Sequence, residues 1–299
     1  MLDVFFDVVL PVALVAVIGG AVGRWQNVPV APISVLVFYL FSPALVFHSL
    51  ATTEVSASVS VRIVGVLLAT YVATYTVATA WSLVARHDQS FRAAFALSVI
   101  TPNLGNMGLP VAFLAFGQAG LDIAVMNFVA GAILTYTVGI FVASMASGTR
   151  VDALRAPFRY PVLYAAAAGV LVNALGVDLP TAVDAPAASL ANAAVPAMLV
   201  VLGLQLRQAA GLDHLVDTVM VNATRFLVAP VSAWFAGTAL GLRGDTRGTL
   251  VVLAAMPTAV VATILATEFR AAPAFVTRAV VTTTVTSMLT LTVLIALVR

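Results

Sequence analysis

Apolar residues fill this chain in long runs, and the polar positions collect in short gaps between them. The runs fall at 4 to 22, 30 to 50, 61 to 84, 91 to 116, 121 to 146, 160 to 177, 185 to 206, 217 to 240, 248 to 268 and 274 to 298. At 1.5 Å per residue a helix of about 20 residues crosses a hydrocarbon core about 30 Å thick. The pattern therefore predicts an all-α integral membrane protein of ten transmembrane helices, with the lipid bilayer as its solvent. It leaves no room for a water-soluble domain between them.

The most polar gap, SGTRVDALRAPFR, divides the ten runs five and five. An odd number of crossings before it makes the second half enter from the opposite face, so the halves are candidates for an inverted repeat. Prolines supply the match. Pro11, Pro43 and Pro102 in spans one, two and four correspond to Pro161, Pro196 and Pro257 in spans six, seven and nine, at a near-constant offset. Local text agrees, SPALV at 42 resembling VPAML at 195. The expected division is 1–147 for the first five-helix repeat, 148–159 for a cytoplasmic linker and 160–299 for the second repeat. Two inverted repeats of five helices are a transporter architecture, with the site near the midplane.

Within span four the text TPNLGNMGLPVAF places two prolines, two asparagines and two glycines where a membrane helix is normally most regular. Proline removes a backbone donor and clashes with the carbonyl one turn back. Pro102 and Pro257 are thus expected to break spans four and nine, at 101–105 and 256–259, with the two breaks next to each other. Unpaired backbone groups are costly in lipid, so such breaks belong in a protein interior or a wet cavity. Each break offers amides of one half-helix to an anion and carbonyls of the other to a cation. Asn103 and Asn106 supply donors and acceptors, and Gly105 allows close approach. The remaining prolines are expected to kink packed helices.

Composition adds sign and exclusions. Residues are 62% hydrophobic and 9% charged, and every basic residue is an arginine. A net charge of +2, thinly scattered, gives no surface for nucleic acid. Arginines count nine on one side of the alternating loops and four on the other, which places both termini outside a multi-pass protein of the cell membrane. The N-terminus carries Asp3 and Asp7 in place of a positive stretch, so the first run reads as a retained helix. Cysteine is absent, removing disulfides and thiolate metal sites; neither a metal nor an organic cofactor is expected.

TPNLGNMGLPVAF at 101, RYPVLYAAAAGVLVNALGVDLP at 159, VPAMLVVLGLQL at 195 and MPTAVVATILATEF at 256 together resemble the auxin efflux carrier family, including its prokaryotic members, over nearly the whole chain. The resemblance implies ten spans in two inverted repeats, with broken helices 4 and 9 crossing at their prolines, a scaffold of helices 1, 2, 6 and 7, a mobile transport unit of helices 3–5 and 8–10, elevator-type alternating access and a homodimer. It carries Pro102 and Asn103 onto the first break, and Pro257 with Thr258 onto the second. Asn106 matches the prokaryotic form of the motif. The substrate class so implied is small organic anions, auxin-like carboxylates or dicarboxylates.

Arg225 is the one formal charge well inside a span; it either snorkels to the interface, pairs with a substrate carboxylate or closes an inner gate. His48 reads as structural, Asp122 and Glu268 as interfacial, and the hydroxyls of VTTTVTSMLTLT as bonded to backbone or to neighbouring helices. No carboxylate lies mid-span, so the usual coupling acid is missing and a coupling ion, H+ or Na+, stays open. Intramembrane catalysis would need paired aspartates, a Ser/His pair or HExxH, none of which occurs. The rival to transport is a membrane sensor that binds a ligand without moving it.

Overall fold

The computed structural model describes residue 3 and residues 5–53, 55–147, 161–205 and 214–299. Arg150, Arg155, Arg159 and Arg207, and with them the linker assigned to the cytoplasm, lie outside the described residues.

Among those residues the chain is helical throughout, with α1 Phe5–Trp25, α2 Val30–Thr52 and α3 Ala57–Val84 followed by α4 Gln89–Ile100 and α5 Leu104–Ala146. The second half holds α6 Pro161–Leu175, α7 Thr181–Gln205, α8 Leu215–Ala239, α9 Gly244–Ala254, α10 Val260–Glu268 and α11 Pro273–Val298. Seven of them, α1, α2, α3, α5, α7, α8 and α11, are long and apolar enough to cross a membrane. The expected count of ten differs in three places. The fourth and ninth runs each stop part-way, as α4 and α9. The fourth and fifth meet within α5 at Gly117, whose φ of 66° and ψ of −156° interrupt the helix in a conformation that glycine alone adopts freely. The sixth run is the short helix α6.

Helix starts follow from local chemistry. The Asp88 carboxylate accepts the Phe91 amide at 2.7 Å to open α4, and Ser56 accepts the Val59 amide to open α3, each covering an amide that a helix start leaves unpaired.

Four prolines within helical paths are absorbed by π turns. Such turns at Phe5–Val9, Val37–Phe41, Leu104–Gly108 and Thr224–Val228 end two residues before Pro11, Pro43, Pro110 and Pro230. The amides of Ser42, Leu109 and Ala229, just ahead of three of these prolines, donate to the carbonyl five residues back. Widening the turn relieves the clash between the ring and the preceding carbonyl without ending the helix. Pro11 and Pro43 thus distort continuous helices, while Pro186 and Pro196 lie inside α7 and Pro161 begins α6.

Packing separates two neighbourhoods. α1 lies on α7 and α2 on α6; a β-carbon on Gly203 would sit 1.7 Å from the Ala16 carbonyl oxygen, so the first pair touches backbone to backbone. A second core gathers Phe95, Leu97, Val99, Ala262, Leu265, Phe275 and Val276 from α4, α10 and α11. At one end of the molecule Ser90 donates to the Arg270 carbonyl, while Trp81 and His87 both reach the Asp217 carboxylate, at 2.8 and 3.1 Å. At the other, Ser49 donates to Asp122 and Asn173 to the carbonyls of Ala51 and Thr53. Large apolar side chains such as Val17, Ile18, Val285 and Leu289 stay exposed, as residues that face lipid do.

Candidate functional site

The two interruptions meet. α4 ends at Ile100 and the helical path resumes at Leu104; α9 ends at Ala254 and resumes at Val260. Between them Pro102 and Thr258 form an antiparallel bridge. The Asn103 amide donates to the Pro257 carbonyl at 2.7 Å and the Ala259 amide to the Thr101 carbonyl at 2.8 Å. Two backbone groups freed by each proline are in this way satisfied by the other break, which a bilayer interior requires.

Side chains complete the junction. The Thr258 hydroxyl donates to the Ser98 carbonyl at 2.7 Å, and its amide donates to the Thr283 hydroxyl at 3.0 Å. Most hydroxyls of α11 bond to carbonyls one turn back in their own helix; that of Thr283 also accepts the Thr258 amide at the junction, and that of Ser287 lies against the Met107 sulfur. Thr258 is fully buried and its polar atoms are engaged, so among the expected site residues it holds the helix ends together and presents nothing to a cavity.

Arg225 stands against the snorkelling reading. Only 1% of it is exposed. From the π turn in α8 its guanidinium extends into the junction, where Nη1 donates to the Val99 carbonyl at 2.9 Å, Nε to Met256 at 2.9 Å and Nη2 to Ala254 at 2.8 Å. Nη2 also donates to Met256. The reason is local: α4 and α9 both end here, and the last carbonyls of a helix have no partner within it. Their partial negative charge draws the cation inward.

Beside the junction is a narrow cavity with free volume of about 10 Å³, room for about one water. Pro102, Leu104, Tyr71, Asn127 and Arg225 line it. The Tyr71 hydroxyl lies 3.4 Å from that of Thr135. Asn103, Asn106 and Asn127 are buried, at 5%, 7% and 3% exposure, and among the described residues none of their carboxamides makes a hydrogen bond to protein. Gly105 meets the Phe128 ring, at 3.2 Å from where a β-carbon would stand, which holds the start of α5 close to its second arm, beyond Gly117, where Asn127 lies. The structure therefore brings Pro102, Asn103, Gly105, Asn106, Pro257, Thr258 and Arg225 to one junction and leaves three carboxamides there without partners. Sequence reasoning missed Asn127 and Tyr71. Asn127 is the one carboxamide in its apolar run, AVMNFVAGA, a signal that was readable.

The sequence of this junction and its surroundings has known counterparts. A family described as membrane transport protein matches residues 4–295. The chain belongs to this family, that of the auxin efflux carriers. An uncharacterized transporter of Methanothermobacter thermautotrophicus is 27% identical over 228 residues, covering 76% of this chain and 75% of its own. One of Methanocaldococcus jannaschii is 25% identical over 191 residues, 62% of each chain. This family member is thus a multi-pass membrane protein of a transporter family.

Proposed function

We propose that this auxin efflux carrier family member is a secondary transporter of small organic anions that binds its substrate at the paired breaks. The observation that carries the proposal is the trio of buried, unpartnered carboxamides, Asn103, Asn106 and Asn127, beside two helix starts. Each residue is buried while its carboxamide keeps an open polar edge, which is free to pair with water or with a ligand. The first turns of α5 and α10 add unpaired amides and a partial positive charge of roughly +0.5 each, which suits a carboxylate.

The architecture proposed is ten crossings in two inverted repeats. α4 with the first arm of α5 makes the fourth crossing, and α9 with α10 the ninth; the symmetric exchange of backbone bonds about Pro102 and Thr258 supports it. The tight α1–α7 and α2–α6 pairs suit a scaffold, and the helices around the junction suit a mobile unit that carries the site by an elevator motion, in a homodimer whose termini face outward. A cavity with room for one water suits an occluded stage of such a cycle.

Thermal stabilisation of the purified protein by a panel of mono- and dicarboxylates identifies the ligand, since binding to the folded state raises its melting point. Flux of that ligand into proteoliposomes then separates transport from sensing. Saturable flux is expected; binding without flux under any gradient identifies a sensor.

A further inference from the structure

The guanidinium of Arg225 has no acidic partner among the described residues. Its nearest polar neighbours are three backbone carbonyls, those of Val99, Ala254 and Met256, which close two helix ends from opposite halves of the chain. Each such end carries roughly half a negative charge, and two of them offset one guanidinium. A cage of converging carbonyl oxygens is also the kind of surround that coordinates a small hard cation. Here that place is filled by a cation belonging to the chain.

We propose that Arg225 is a resident counter-cation: its guanidinium takes the position that a free metal cation would otherwise occupy at the crossing of the breaks, so the crossing is complete without sodium and the transport cycle is independent of it. Of five guanidinium N–H groups, four bonds go to the three carbonyls and one N–H on Nη1 is left, on a residue that lines the cavity with Asn127 and Tyr71. The charge that neutralises the helix ends is thereby fixed to α8 and travels with the junction, whereas a bound ion would be taken up and released in each cycle. Planarity matters, because the fork reaches carbonyls on both breaks at once, and a lysine ammonium, a point charge, would not span them equally.

The claim about transport rests on the proposed function, but its main test does not. Melting of detergent-purified wild-type protein is compared in sodium chloride and choline chloride, and that of Arg225→Ala with and without low-millimolar methylguanidinium, with methylurea as the neutral isostere. The expected result is one melting point for wild type in both salts. Arg225→Ala should melt several degrees lower, and methylguanidinium, not methylurea, should recover most of the loss. Should Arg225→Ala fail to fold, Arg225→Lys takes its place and is expected to melt below wild type, since an ammonium does not span the three carbonyls. Sodium stabilising the wild type over choline, a variant that melts like wild type, or equal effects of methylguanidinium and methylurea would each overturn the proposal. Once a flux substrate is known, wild-type flux should be the same in sodium and choline; absence of any flux counts against transport alone, whereas flux that needs sodium counts against Arg225 as the resident cation.

Discussion

The amide of Asn103 donates to the carbonyl of Pro257 across 2.7 Å, joining residues from the two halves of the chain through backbone alone. The Asn103 side chain takes no part in that bond. Asn103→Ala is therefore expected to fold and to melt like wild type, while losing a ligand contact. A hydrogen bond to a charged group contributes about 1.5 to 3 kcal/mol, so affinity for the anion should fall roughly tenfold to a hundredfold. Ligand titration of folded protein checks this; an unchanged affinity would remove Asn103 from the site.

Asn127 gives the complementary case. Its carboxamide has no protein partner to lose, so an apolar group of similar shape leaves no bond broken and no orphaned partner behind. Asn127→Leu should match or exceed the wild-type melting point while weakening anion binding by about tenfold, the loss of one hydrogen bond to a charged group. Lower stability with full affinity would make Asn127 a structural residue.

Thr258 should behave in the opposite way. Its hydroxyl serves the Ser98 carbonyl in a fully buried setting, so Thr258→Val leaves an orphan acceptor, at about 1–3 kcal/mol. A lower melting point with little change in intrinsic affinity is expected. A ligand-binding defect at unchanged stability would return Thr258 to the substrate site.

Gly203 tests the rigid packing of α1 on α7. A β-carbon there would stand 1.7 Å from the Ala16 carbonyl oxygen, a contact with backbone that no side-chain rotation relieves. Even Gly203→Ala is expected to destabilise the protein, by more than the spread of about 0.5 kcal/mol typical of surface substitutions. Equal melting of Gly203→Ala and wild type would show that the two helices separate at little cost.

Much of this was legible in the sequence because proline acts locally. Pro102 and Pro257 break their helices for reasons written in the residues themselves, and each structural break falls within a residue or two of the expected place. What proline did not disclose was which helices would continue: Pro11, Pro43, Pro110 and Pro230 are absorbed by π turns, since neighbouring carbonyls there find partners five residues along. Arg225 was misjudged by its sequence neighbours, which suggest a cation about two turns from an interface and free to snorkel. Its partners, Val99, Ala254 and Met256, are remote in sequence and become available only once both breaks have formed. Thr258 stands on a matching motif yet serves a helix end, a distinction set by the facing Ser98 carbonyl. Asn127 lay in an ordinary membrane run and became notable only when the fold placed it beside Pro102 and left its amide without a partner.

The central claim is that paired breaks bind an organic anion for transport, and counterflow is its most direct measurement. Proteoliposomes loaded with an unlabelled carboxylate identified by thermal stabilisation are given the same compound, labelled, outside. Wild-type protein should accumulate label transiently and saturably, and Asn103→Ala and Asn127→Leu, inserted to the same level, should do so about tenfold less at low substrate, in line with the loss of one hydrogen bond to a charged group. Wild-type liposomes that show no uptake beyond protein-free controls, or the two variants taking up label at the wild-type rate, would contradict the account.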